Sequence, residues 1–129
     1  MKIICTLLLF IIISAQAWAQ QESAQLDGKI FFIVLYEGKQ KDSQQNLTFE
    51  EGKLIFSDAD KYGFSSEEYK CKQKNDTTWT FLCVSKSKKN GTMTWDGKVV
   101  NDEVEGTLLW TRLVENPVTY TFKGKQIND

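Results

Sequence analysis

The sequence contains no histidine, a single proline (Pro117) and a single arginine (Arg112). Without histidine there is no Ser-His-Asp triad, no Cys-His pair and no histidine-ligated zinc or iron. Neither glycine-rich nucleotide cradle occurs, so phosphate binding of that kind has no support. Net charge is also scarce. The 16 basic residues almost cancel the 17 acidic ones, for a formal charge of −1. No overall field therefore draws nucleic acid or an acidic membrane to the chain. Long apolar runs are confined to the first residues, and the next longest, Ile30 to Tyr36, is far too short to span a bilayer.

The N-terminal segment reads as an export signal. Met1-Lys2 is a short positive start, Ile3 to Ile13 is apolar apart from Thr6, and Ala17-Trp18-Ala19 is a small-x-small cleavage pattern. Cleavage after Ala19 is expected, placing the protein in the periplasm or outside the cell. Residues 20–26 read as a polar, flexible leader and 27–124 as one domain. Cys5 leaves with the signal. Cys71 and Cys83 remain, and an even count in an oxidising compartment predicts a disulfide, with two buried thiols as the alternative. Such a bridge would contribute ~3 kcal/mol on the chain-entropy argument.

What remains is rich in β-branched and aromatic residues that alternate with polar ones. Turn signals fall at Glu37-Gly38, Glu51-Gly52, Tyr62-Gly63, Asn75-Asp76, Asn90-Gly91, Asn101-Asp102 and Asn116-Pro117. They delimit eight expected strands: 29–37, 45–50, 53–58, 67–73, 77–85, 91–100, 103–113 and 117–123. Opposed residues in a hairpin share a face. Pivoting on Asn101-Asp102 sets Trp95 against Leu108, Met93 against Trp110, Val99 against Val104 and Gly97 against Gly106. Two facing glycines allow both strands to bend sharply. Pivoting on Glu51-Gly52 sets Leu47 against Phe56 and Phe49 against Leu54. A three-residue loop at 114–116 would set Trp110 against Tyr120 and Leu108 against Phe122. The first strand is apolar on both faces and makes a poor free edge. Pairing it with the eighth closes an all-β, eight-stranded antiparallel meander into an up-and-down barrel. The alternative is a two-sheet sandwich.

The body of this chain, with its Gly91-Thr-Met-Thr-Trp95-Asp-Gly97 and Val104-Glu-Gly-Thr-Leu-Leu-Trp110 segments and its Asp60-Lys-Tyr-Gly-Phe64 loop, resembles small secreted lipocalin-like or avidin-like barrels of the calycin type. It is also similar to small exported bacterial proteins. Asp27-Gly28-Lys29-Ile30 stands where lipocalins carry Gly-x-Trp, and no binding residue is carried over. The resemblance implies a barrel that holds a small ligand.

The inward aromatic set is Tyr69, Trp79, Phe81, Trp95, Trp110, Tyr120 and Phe122. It either lines a cavity for a small apolar or planar ligand or fills the barrel. Asp58 with Asp60, or Glu67 with Glu68, could serve as a catalytic carboxylate pair, and the first pair as oxygen ligands for calcium, but solvated charge explains both. Lys70, Lys72 and Lys74 alternate away from the aromatic face, which argues against nucleic acid. Asn46, Asn75 and Asn90 each open a glycosylation sequon and are expected at exposed strand ends or turns. The functional expectation is an exported, non-enzymatic barrel that binds a small hydrophobic ligand, with no cofactor and no metal. The alternative is a protein-interaction or inhibitor-like module acting through loops at 58–68 and 86–91. A carboxylate-based hydrolase ranks last.

Overall fold

A computed structural model describes residues 25–129, so the signal and most of the leader lie outside the described residues. Eight strands follow one another: β1 (Ile30–Glu37), β2 (Gln40–Glu50), β3 (Lys53–Phe56), β4 (Glu67–Asn75), β5 (Thr78–Ser87), β6 (Gly91–Val100), β7 (Glu103–Arg112) and β8 (Glu115–Gln126), with one 3-10 turn at Asp60–Tyr62. Each pairs antiparallel with the next, and β1 pairs with β8, closing the barrel and leaving no sandwich. Closure protects β1, whose two-faced apolar sequence would otherwise present an open edge.

Strand alternation decides what lies inside. On β6 and β7, Met93, Trp95, Gly97, Val99, Val104, Leu108 and Trp110 are buried, and the residues between them are exposed or part-buried. The pairings Trp95 with Leu108, Met93 with Trp110, Gly97 with Gly106, Leu47 with Phe56 and Phe49 with Leu54 are those the hairpin registers predict.

The β7–β8 register differs from the expected one by two residues. Trp110 faces Val118, Leu108 faces Tyr120, and Phe122 faces Gly106. The turn is tighter than a three-residue loop, with Arg112 paired to Glu115 and a register irregularity between Trp110 and Arg112. A shift of two preserves the faces, so side-chain alternation alone could not detect it. β2 also begins earlier than expected, at Gln40. Its polar start pairs with β1, and Gln45 follows the inward parity of Leu47 and Phe49.

The disulfide is not formed: Cys71 and Cys83 are buried free thiols. The β4–β5 register pairs Cys71 with Phe81 and Tyr69 with Cys83, so the cysteines are diagonal neighbours. Diagonal Cα atoms lie about 7–8 Å apart, beyond the usual reach of a disulfide at about 4.4–6.8 Å. Burial pushes both thiols up to about 11.

Leu26 was expected within a flexible leader, yet it is fully buried. It belongs to a turn that closes one end of the barrel, where Gly28 N–H donates to the Phe49 carbonyl (2.7 Å). Asp27 accepts from Tyr69 Oη (2.7 Å) and from Gly52 N–H (2.9 Å). The C-terminus joins the same end. Asn128 accepts from Ile30 N–H (2.8 Å) and donates to the Gly28 carbonyl (2.6 Å).

Candidate functional site at the barrel mouth

The opposite end carries the β1–β2, β3–β4, β5–β6 and β7–β8 connections. Among them opens a small cavity of about 70 Å³. Leu35, Phe56, Met93, Trp95 and Leu108 form its apolar interior, while Asp42, Ser43, Gln45, Asp58, Tyr62, Trp110 and Tyr120 form its upper wall. Below the cavity the barrel is packed with rings. Phe49 meets Tyr69 at 4.9 Å and Phe81 at 5.1 Å between centroids, and Trp95 meets Phe56 at 5.4 Å and Phe122 at 5.6 Å. The choice between a hollow and a filled interior therefore resolves as a largely filled core with a recess at one end. A 70 Å³ recess holds two or three waters, at about 30 Å³ each, or the end group of a larger molecule.

The aromatic set divides along the barrel axis. Trp95, Trp110 and Tyr120 line the recess. Tyr69 is buried at the closed end, where it binds Asp27 and accepts the Leu26 N–H (3.1 Å). Burial first, and the Asp27 hydrogen bond second, push its phenol well above the ordinary tyrosine range. Trp79 is half-buried and donates from Nε1 to Gln25 Oε1 (2.8 Å), and Phe81 packs on Phe49. These three belong to the closed end and its packing.

Two polar features of the mouth stand out. Gln45 is 6% exposed, and its amide is tightly engaged. Its Oε1 accepts from Ser57 Oγ and Asp58 N–H, both at 2.9 Å, while Nε2 donates to Asp58 Oδ2 at 2.8 Å. The residue thus ties β2 to the segment that leads out of β3. Trp95 is 1% exposed, and its Nε1–H has no hydrogen-bond partner among the described residues. A buried donor left unpaired costs about 1–3 kcal/mol, and the side chain that carries it is part of the recess lining. Tyr120 is pushed upward by burial first, then by the carboxylates of Asp42 and Glu37.

The connection after β3 partly roofs the recess. Ala59 and Phe64 are buried, Phe64 lies 5.8 Å from Phe56, and Tyr62 stands edge-on to Trp110 at 5.4 Å. The Tyr62 carbonyl accepts from Ser87 Oγ (2.9 Å) and Asn90 Nδ2 (2.6 Å), and Trp110 Nε1 donates to the Asn90 carbonyl (2.6 Å). The two loops expected to carry function, 58–68 and 86–91, are therefore bonded to each other over the mouth. Asn90 is half-buried with its amide engaged, while Asn46 is exposed, as expected, but lies inside β2 and not at its end. Asn75 is exposed beside the β4–β5 turn, where its Oδ1 accepts from Thr77 N–H (3.0 Å).

The carboxylate pairs do not converge. Asp58 is held by Gln45, and Asp60 is exposed at the start of the 3-10 turn. Glu67 and Glu68 are adjacent on a strand and so project to opposite faces. No group of three or more metal-ligating side chains assembles among the described residues, nor is any described helix long and apolar enough to cross a membrane. Sequence reasoning missed Gln45, Tyr62 and Asp42 as mouth residues. The parity of Gln45 with Leu47 and Phe49 was the available signal, whereas the inward fold of the Tyr62 loop has no periodic signature.

Comparison with protein-family models, curated proteins and solved structures gives no match for this chain.

Proposed function

We propose that the protein is an exported, non-enzymatic barrel whose mouth binds a small, largely apolar, planar ligand, in the manner of the calycin-type barrels it resembles. The observation that carries this reading is the unpaired Trp95 Nε1–H in the wall of an apolar recess open to the mouth. A ligand with one hydrogen-bond acceptor would satisfy that donor, and its ring would meet Tyr62, Trp110 and Tyr120. The charged groups of the lining are the carboxylates of Asp42 and Asp58, with no base among them, so a neutral or cationic ligand suits it better than an anion. Typical sites for drug-sized ligands are about 300–1,000 Å³, so only one end of the molecule enters the 70 Å³ recess.

Acetophenone, a planar ring bearing one acceptor, tests the reading, with ethylbenzene as its acceptor-free counterpart. The expected result is a saturable shift of the Trp95 indole N–H resonance by acetophenone, with binding weakened about fivefold in Trp95→Phe, equivalent to one hydrogen bond. A Trp95 resonance that stays in place at saturating acetophenone would overturn the assignment.

A further inference from the structure

The β7–β8 hairpin outruns both neighbouring strands at the mouth end. β6 pairs with β7 only as far as Thr92 opposite Thr111, and β1 pairs with β8 only as far as Tyr36 opposite Thr121. Leu113 and Val114 therefore stand at a projecting tip, and their relative exposures of 102% and 95% are those of side chains that touch almost nothing. Two aliphatic side chains in this position carry an uncompensated hydrophobic cost that the fold itself does not require.

Behind the tip lies a cationic shoulder. Gly91 packs its backbone against Thr111 and Arg112, which brings the Lys88-Lys89 turn beside the base of the hairpin. Asn90 in that turn binds the Tyr62 carbonyl, so Lys61 joins the same side. Lys61, Lys88 and Lys89 are all exposed. Two nearby carboxylates are engaged elsewhere, Glu115 by Arg112 Nη2 (2.6 Å) and Asp58 by Gln45. Glu37, Asp42 and Asp60 also belong to this end, so the positive character is local to the shoulder and not spread around the whole rim.

We propose that this tip docks the barrel, mouth first, onto an anionic lipid surface. Leu113 and Val114 would enter the interfacial layer while Lys61, Lys88 and Lys89 meet the headgroups. A convex two-residue tip offers no groove and far less area than the roughly 1,000 Å² of a specific protein interface, whereas a bilayer accepts a convex apolar point backed by cations. Attachment of this kind is weak and reversible. The inference is independent of any ligand in the recess.

Co-flotation with phosphatidylcholine vesicles, with and without phosphatidylglycerol, tests it. The protein is expected to float at least fivefold more with phosphatidylglycerol vesicles at low salt and to lose that excess at 0.5 M NaCl. Leu113→Ser with Val114→Ser is expected to lower the bound fraction about tenfold, and Lys88→Glu with Lys89→Glu to do likewise. The substituted side chains are exposed, so folding should be untouched, which the near-ultraviolet circular dichroism spectrum verifies. Equal flotation with both vesicle types, no flotation with either, or a serine variant that binds like the parent would each overturn the proposal.

Discussion

Phe122 lies across the β7–β8 ladder from Gly106, and its ring takes the space a side chain there would need: Cζ is 2.8 Å from where a Cβ would stand. The same Cβ would collide with the Asp96 carbonyl on β6. Gly97, opposite Gly106, leaves equivalent room for the Phe81 ring. The paired glycines thus admit two phenyl rings to the barrel interior. Gly106→Ala should cost at least about 2–3 kcal/mol, the penalty of overpacking a close-packed core. Because one obstacle is backbone, shortening Phe122 should not restore the loss. Urea unfolding of Gly106→Ala, Phe122→Leu and the double variant measures this, and near-complete rescue would contradict it.

Tyr69→Phe should destabilise the protein by about 2 kcal/mol. The substitution removes a hydrogen bond to the Asp27 carboxylate and deprives the buried Leu26 N–H of its acceptor. Amide exchange at Leu26 should accelerate more than exchange at Trp95, which lies midway along β6. Equal acceleration at both sites would point to general loosening instead of a broken closure.

The thiols make stability fall with alkaline pH. Their folded pKa of about 11 exceeds the ordinary value of 9.0, so the unfolded chain releases these protons first. The folded state therefore keeps the full contribution below about pH 9, loses it progressively as pH rises to about 11, and loses no more beyond. The loss is about 2 kcal/mol per thiol by pH 10.5 on linkage arithmetic. Tyr69, also shifted upward, adds a loss of the same sign from about pH 10. Replacing both cysteines by alanine should flatten the part of the stability profile between pH 9 and 10.

Alkylation under denaturing, non-reducing conditions should label both Cys71 and Cys83, because the register keeps them from bridging. Without denaturant, labelling should be slow, as both side chains are buried. A protein that gains label at these two positions only after reduction would refute the β4–β5 register.

Asn90→Ala removes the Nδ2 bond to the Tyr62 carbonyl but leaves the Asn90 carbonyl to accept from Trp110. Global stability should drop by only about 1 kcal/mol. Amide exchange at Gly63 and Phe64, whose N–H groups are held by Asp60 and Ala59, should rise at least tenfold as the roof loosens. Unchanged exchange there would show that Ser87 alone fastens the loop.

Much of the barrel is legible in the sequence because a period of two is a strong signal wherever one face is buried. Trp95 and Leu108 could be paired from residue numbers alone because Asn101-Asp102 marks the turn without ambiguity. The β7–β8 register failed where that marker is weak: Leu113 and Val114 do not look like turn residues, and a slip of two keeps every face correct. The disulfide failed because compartment and count say nothing of diagonal offset. The mouth was half legible. Trp95, Trp110 and Tyr120 follow from alternation, but Tyr62 and the clasp of Asn90 depend on an irregular connection folding back, which no local pattern encodes.

Closure of the wall brings the two ends of the described segment to one side. Ile30 and Asn128 are bonded to each other at the sealed pole, and the recess, its roof and the projecting hairpin all occupy the other. A tether, fusion partner or immobilising tag attached beyond Asn128 would leave the barrel hanging with its recess outward and unobstructed.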